Sequence, residues 1–416
     1  MIIGGDNEEL AGYIGRQFES DELLQEQVHL DFNAPHMITV CGKRGTGKSH
    51  TLGVLMEELM QLPRAARDNL TGLVVDAMGI YWSLQVETRE PDLLADWDIS
   101  PDDFPVTVYY PAGLEEKYED VSEYFHEGFE LYPSELSVDD WLYLLDIDET
   151  QAQAGLLSEV IELTEDEFGS FYGLGDLTQK IEESDESSNV KEALLRRLEK
   201  AKSWGIFSAS GSRIDEIVTG GDFVILDLSG AGALPWNVRT MLTGILVRKM
   251  YNQRSFERSR EEVSRIKGQF SESEFPLIWL FLDEAHLFAP SGSKEPSTEP
   301  LVEWVRQGRR PGLSLVMATQ QPGALDSRIL SQCDTLIIHR LTAGKDSEAV
   351  GDRISELHNT RQISHYMEQI PKDPGYAYVM NDDSEKIVPV KIRPRQSWHA
   401  GGSAKLEEYL NLTESS

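Results

Sequence analysis

Cysteine is nearly absent: the 416 residues hold two, Cys41 and Cys333. So small a number excludes a disulfide framework and fits a reducing cytoplasm. Long apolar runs are missing too. The longest are strand-sized, and a membrane-spanning helix needs roughly 18 or more apolar residues in a row. The start, MIIGGDNEEL, has neither the basic residues nor the apolar stretch of a secretory signal. Positive charge is the third shortage, with 38 Lys and Arg against 72 Asp and Glu and a net charge of −34. Taken alone, that disfavours nucleic acid, because phosphate binding needs a positive footprint. The acids, however, are spread along the whole chain rather than gathered in a tail, and arginine outnumbers lysine. This pattern predicts adaptation to high internal salt, where dispersed carboxylates keep the surface hydrated. The alternative is an acidic protein of a low-salt cytosol. At molar salt the Debye length is about 3 Å, which also mutes repulsion from a DNA backbone. Charge balance therefore neither requires nor excludes a DNA partner.

What is present is the rhythm of an α/β protein large enough for a substantial core. Seven short runs read as strands: MITVCG (37–42), TGLVVDA (71–77), VTVYYP (106–111), DFVILDLS (222–229), PLIWLFLD (276–283), LSLVMATQ (313–320) and DTLIIHRL (334–341). Most are apolar throughout rather than alternating, as parallel strands buried on both faces should be. Helical patterns such as 49–62 and 236–253 separate them, which predicts a mostly parallel, doubly wound sheet. Residues 114–202 break the rhythm; they are acidic and helical in pattern and are expected to form an inserted helical subdomain. Ser255 to Ser273 is dense in charge and is expected to be a mobile excursion. GYAYVM and KIVPVKIRPR suggest two late strands before a loose tail. The expected division is a short segment 1–36, a core of 37–113 and 203–395, the insertion 114–202, and the tail 396–416.

The core carries GKRGTGKS, Gly42 to Ser49, between a predicted strand and an amphipathic helix. It fits the phosphate-loop pattern G-x-x-x-x-G-K-S/T in full, in the context that gives the pattern meaning. Backbone N–H groups of Gly42, Lys43, Arg44, Gly45, Thr46 and Gly47 wrap a polyphosphate, and the helix start at Lys48, Ser49 and His50 adds a favourable dipole. Lys48 reaches the β- and γ-phosphates, and the Ser49 hydroxyl suits Mg²⁺. An ordinary glycine-rich turn is the competing reading. Downstream, an apolar strand ends in Asp283 and Glu284. One carboxylate suits the Mg²⁺ shell (Asp283) and the other the attacking water (Glu284); a chance surface pair is the alternative. The next strand ends in Thr319 and Gln320, placed to sense a γ-phosphate or orient that water, though a polar strand end would look the same.

Asp283–His286 spells DEAH, a helicase label, but its surroundings do not suit superfamily-two helicases. Their paired-arginine motif lies in a second ATPase domain, whereas RQGRRPG (306–312) follows within the same core. LSGAG (228–232) imitates the transporter signature yet lies far upstream of Asp283. The order HMITVCGKRGTGKSHT, VVDAMGIYWSL, GDFVILDLSG, LFLDEAHLFAP, EWVRQGRRPGLSLVMATQQP, LSQCDTLIIHRL and VKIRPR instead resembles the HerA-like branch of the HerA/FtsK ring ATPases, from about residue 36 to 395. That resemblance implies a RecA-like core, ATP with Mg²⁺, a hexameric ring around duplex DNA read without sequence preference, and an arginine donated to the neighbour's γ-phosphate. GRRPG makes Arg309 the first choice for that arginine, with Arg310 and Arg340 as alternates; an exposed structural arginine is the other reading of each. Asp76 matches an aspartate that the family keeps near its nucleotide site or channel. Where the family continues Gly-Glu-Tyr, this chain has Gly79-Ile80-Tyr81. HerA proteins carry an N-terminal β-barrel that helps dock a nuclease; with about 36 residues before the loop here, a nuclease partner is not expected to dock that way.

Phosphate-gripping channel residues are expected at Lys294, in the loop 290–300, and at Tyr81 and Trp82; a solvated loop and core aromatics are the competing readings. The leading expectation is a cytoplasmic, ring-forming, ATP-driven DNA translocase, with a nuclease as a candidate partner. The alternative from a different class is a regulatory or scaffolding ATPase that assembles a complex without moving DNA.

Overall fold

The computed structural model describes residues 1–19, 22–211, 216, 218, 221–232, 234–268, 274–341, 344–355, 366, 369–382, 384 and 386–402. Its strands are β1 (Ile2–Ile3), β2 (Ala11–Glu19), β3 (Glu22–Asp31), β4 (Met37–Cys41), β5 (Leu70–Asp76), β6 (Thr107–Pro111), β7 (Glu127–Phe129), β8 (Phe223–Asp227), β9 (Leu277–Leu282), β10 (Leu313–Thr319), β11 (Thr335–His339), β12 (Tyr376–Asn381) and β13 (Lys386–Ile392). They form one sheet in the order β1-β3-β2-β13-β12-β11-β4-β10-β9-β5-β8-β6-β7. From β11 to β7 every pairing is parallel. The predicted parallel core is thus present, and the seven strand-like runs are β4, β5, β6, β8, β9, β10 and β11. β12 and β13 are an antiparallel pair, and β13 pairs antiparallel with β2. Through that pairing residues 1–36 extend the core sheet.

Period-two alternation within fully apolar strands explains why both faces are covered. In β9, Ile278, Leu280 and Leu282 enter one core, while Trp279 and Phe281 enter the other. The first core is shared with the helices Trp236–Ile266 and Thr298–Gln307, the second with the helix Lys48–Met60. Residues 114–202 enter and leave beside Gly113 and Gly205 but are not separate from the core: Tyr118 and Phe125 pack in the second core, and β7 pairs parallel with β6. The Gly113 N–H donates to the Gly205 carbonyl at 2.8 Å, and a Cβ on either glycine would lie 2.3 Å from the other's Cα. Between them lie the helices Val138–Leu144, Ala152–Phe168, Leu174–Glu183 and Ser188–Lys202. Asp140 and Glu135 anchor this part to the long helix through Arg248 and Lys249.

Two expectations are corrected. The tail does not begin loose, since Gln396 and Ser397 are buried and Ser397 donates to Glu57 through its N–H and Oγ. Residues 255–266 are no excursion; they are the last turns of the helix Trp236–Ile266. Their charges sit at helical spacing, and Arg258 pairs with Glu261 at 3.1 Å and with Glu262 at 3.5 Å, while Arg260 pairs with Glu257 at 3.1 Å. Such i,i+3 and i,i+4 pairs support a helix that has little apolar surface of its own. Residues 269–273 of that stretch lie outside the described residues.

Candidate nucleotide site

The phosphate loop follows β4 and leads into the helix Lys48–Met60 at the carboxyl ends of the parallel strands, where open α/β sheets bind ligands. Gly45 and Gly47 take φ of 77° and 109°, values that favour glycine. No atom lies within 4 Å of where a Gly45 Cβ would be, so the loop keeps an open face there. Lys48 is 6% exposed, and among the described residues its ammonium donates only to the Lys43 carbonyl, at 3.1 Å. Burial lowers its pKa, against the pull of Glu284 and Asp283.

Ser49 Oγ donates to Asp283 Oδ2 at 2.7 Å, which joins the helix start to the end of β9. The other oxygen, Oδ1, accepts the Glu284 N–H at 2.8 Å. A hydroxyl and a carboxylate set side by side form a hard-oxygen donor set of the kind Mg²⁺ takes. Glu284 has a left-handed backbone, φ 51°, which is rare for a side-chain-bearing residue and clusters at functional sites. Its Oε1 accepts from the Gln320 amide. Among the described residues its buried Oε2 has no hydrogen-bond partner; His286 Nδ1 approaches to 3.5 Å. An orphaned carboxylate oxygen beside a phosphate loop is where an attacking water would be held. Thr319 Oγ1 bonds His286 Nδ1 at 3.1 Å, so β10 and the DEAH turn are tied together.

Several residues lie elsewhere than expected. Tyr81 is fully buried, and its hydroxyl donates to Asp283 Oδ2 at 2.9 Å; a side chain with no exposed surface cannot grip DNA, so the channel assignment for Tyr81 is corrected. Trp82 is half-buried against Tyr124 and Phe125. Lys294 is exposed. His50 belongs to the motif but turns away from the loop, with Nε2 on the Arg393 carbonyl at 2.9 Å. Burial pushes its pKa down to about 4. Asp76 accepts the backbone N–H groups of Met78, Gly79, Ile80 and Tyr81 at 2.7–3.0 Å and so builds the turn that carries Tyr81. Burial, then the neighbouring Asp227, raise its pKa to about 7.

The arginines divide between the two ends of the sheet. Arg340 follows β11 on the loop's own side, where its carbonyl accepts the Lys43 N–H at 2.9 Å. Arg309 lies at the opposite end. It is bound at 3.0 Å to Asp334, which precedes β11, and its side chain is 56% exposed. Arg310 pairs with Glu262 at 2.9 Å. Two residues escaped the sequence reading. His339 ends β11 and bridges Thr51 Oγ1 and the Tyr376 carbonyl, each at 2.9 Å. Burial drops its pKa to about 3, which leaves it a neutral link between the loop helix and β12. A polar residue ending a buried parallel strand was the signal available for His339; Thr51 carried none. Among the described residues no helix is long and apolar enough to cross a membrane.

This arrangement has counterparts. The DNA double-strand break repair helicase HerA of Pyrococcus furiosus is 31% identical over 109 residues, which are 25% of this chain and 20% of that protein. The match therefore spans about a fifth of the relative's length. VirB4 of Thermoanaerobacter pseudethanolicus shares the fold at a TM-score of 0.58 and 14% identity, over 98% of this chain and all of that one. The plasmid coupling protein TrwB, solved with ADP and Mg²⁺, does so at 0.53 and 15%, over 96% and 98%. Both neighbours show the fold, a RecA-like P-loop ATPase core. Residues 15–250, from the second strand of the sheet through the phosphate loop and past β8, match the family described as the central domain of helicase HerA, and this P-loop ATPase belongs to that family.

Proposed function

We propose that this protein is a motor that hydrolyses ATP, assembles into a ring of six and moves duplex DNA without reading its sequence. The observation that carries the reading is the split of the site between the two ends of the sheet. Lys48, Ser49, Asp283 and Glu284 converge at the carboxyl ends of β4 and β9, while Arg309 stands at the amino ends beside Asp334. The five residues of β4 separate those ends by on the order of 15 Å. That distance keeps Arg309 from its own loop, which supports its donation to a neighbouring copy.

The chemistry follows from the side chains. Loop N–H groups and Lys48 hold the β- and γ-phosphates and offset their charge. Ser49 and Asp283 would hold Mg²⁺, which neutralises charge on the phosphates when bound. Glu284 Oε2 takes the proton of a water whose oxygen attacks the γ-phosphorus as the bond to the β-phosphate oxygen breaks, releasing ADP and phosphate. Gln320 fixes the Glu284 carboxylate, and Arg309 of the next copy stabilises the charge spread over the transferring group. The domain division is part of the same proposal: an ATPase core of 37–113 and 203–395, which the first 36 residues edge with strands, a helical insertion at 114–202, and the tail 396–416. The net charge of −34 supports work in a salt-rich cytoplasm, where DNA contact is screened. A nuclease partner rests on the family resemblance alone.

Arg309→Ala mixed with Lys48→Ala is the test. Each alone should lose about 10³-fold or more in ATP hydrolysis, and mixed rings should regain activity because one interface keeps both groups. If no ratio restores turnover, the assignment across the interface fails. DNA stimulation of turnover at high salt supports the motor; its absence makes the protein a scaffolding or regulatory ATPase instead.

A further inference from the structure

We infer that Tyr81 is a positioning residue of the metal-binding corner, its hydroxyl holding the Asp283 carboxylate toward Ser49. The inference rests on the nucleotide-site reading above. Two hydroxyls share Asp283 Oδ2, from Ser49 at 2.7 Å and Tyr81 at 2.9 Å. A cation at this corner would draw the Ser49 oxygen to itself, and Tyr81 then remains the side-chain donor that keeps the carboxylate in place. The tyrosine is itself tightly held. The Asp76 carboxylate accepts four consecutive N–H groups ending with that of Tyr81. Gly79 in that turn has φ 69°, and a Cβ there would lie 2.8 Å from Ser229 Oγ. Behind the turn, Ser83 Oγ reaches the carbonyls of Ile80 and Trp398 at 2.8 and 2.9 Å. A phenylalanine would fill the same space, so packing alone does not call for the hydroxyl; Asp283 does.

The neighbouring strand supplies a built-in control. Tyr118 makes the same kind of buried bond at the end of β8, to Asp227 Oδ2 at 2.8 Å. The test compares the full chain with Tyr81→Phe and Tyr118→Phe in calorimetric binding of adenylyl imidodiphosphate, first in EDTA and then through a Mg²⁺ titration. Tyr81→Phe should bind the nucleotide unchanged in EDTA and need about tenfold more Mg²⁺ to reach the tight complex, the loss expected for one hydrogen bond to a charged group. Tyr118→Phe should match wild type in both. The inference is overturned if Tyr81→Phe leaves the Mg²⁺ requirement unchanged or lowered, if it weakens binding in EDTA as well, or if Tyr118→Phe shifts the requirement equally. A wild-type protein whose nucleotide binding ignores Mg²⁺ would instead remove the metal reading beneath it.

Discussion

The two halves of the helix Lys48–Met60 bury charge in opposite ways. At its start, among the described residues, Lys48 is 6% exposed with a single backbone carbonyl as partner, and Glu284 nearby keeps a buried oxygen without a hydrogen bond. Farther along, Glu57 is wholly buried and saturated. One carboxylate oxygen accepts from Arg393 Nη1 at 2.8 Å and the Gln396 N–H at 3.2 Å; the other accepts from Arg395 Nε at 3.3 Å, the Ser397 N–H at 3.1 Å and Ser397 Oγ at 2.6 Å. Glu58 closes the cluster on Arg393 at 2.6 Å. Burial would raise the pKa of Glu57, but the two arginines win and hold it below the usual range. Buried charge that is fully paired holds structure, whereas buried charge left unpaired is costly and persists where a ligand completes it.

Substitutions at each end break this contrast differently. The largest effect is expected from Glu284→Gln, which keeps the shape and the Gln320 contact but removes the base. Turnover should fall about 10²–10⁴-fold while ATP still binds; steady-state hydrolysis beside nucleotide binding checks it, and near-normal turnover would remove Glu284 from the base role. Next comes Arg393→Ala, which strands Glu57 and Glu58 without their shared cation. It should cost about 3–5 kcal/mol of stability, read by urea denaturation, whereas Glu284→Gln should leave the denaturation midpoint nearly unchanged.

The smallest effect sharpens the comparison at a third buried charge. His36 lies between Asp334, at 3.1 Å, and Asp31, at 3.4 Å. Burial pulls its pKa down, but the hydrogen bonds to Asp31 and Asp334 outweigh it and raise the value to about 9. With the folded value above the unfolded one near 6.5, this stabilisation is complete below about pH 6.5 and is lost as pH climbs through about 9. Unfolding free energy followed by urea denaturation from pH 6 to 10 should decline by about 3 kcal/mol, and His36→Gln should flatten the decline. An equal slope in the variant would assign the pH dependence to other groups.

Much of the nucleotide site was legible because its parts are local. Gly42–Ser49 declares a loop and a helix start by spacing alone, and Asp283–Glu284 closes an apolar strand that has one plausible place in the sheet. The Ser49–Asp283 bond joins two motifs already recognised. Tyr81 was not legible. An aromatic after a strand looks the same whether it faces a channel or a carboxylate, and only packing decides which. His50 fails for the same reason, since a motif position does not say which way a side chain turns on the helix. The strands β2 and β3 hid because AGYIGRQFE and ELLQEQVHLD lack the unbroken apolar character of the central strands. Residues 255–266 concealed a readable signal; the spacing of Arg258, Glu261 and Glu262 is helical, though charge density first suggests an excursion.

By itself, the amino-acid order determined the phosphate loop, the carboxylate pair and the parallel central strands, because each depends on neighbours a few residues apart and on the two-residue and 3.6-residue periods of backbone geometry. Tertiary structure alone decided that Arg393 and Arg395 neutralise Glu57 from the far end of the chain, that Tyr81 serves Asp283, and that Arg309 stands at the opposite end of the sheet from its own loop. Those pairings are set by how the sheet is ordered and by the cost of leaving a buried charge unmatched, and no local spacing in the chain records either.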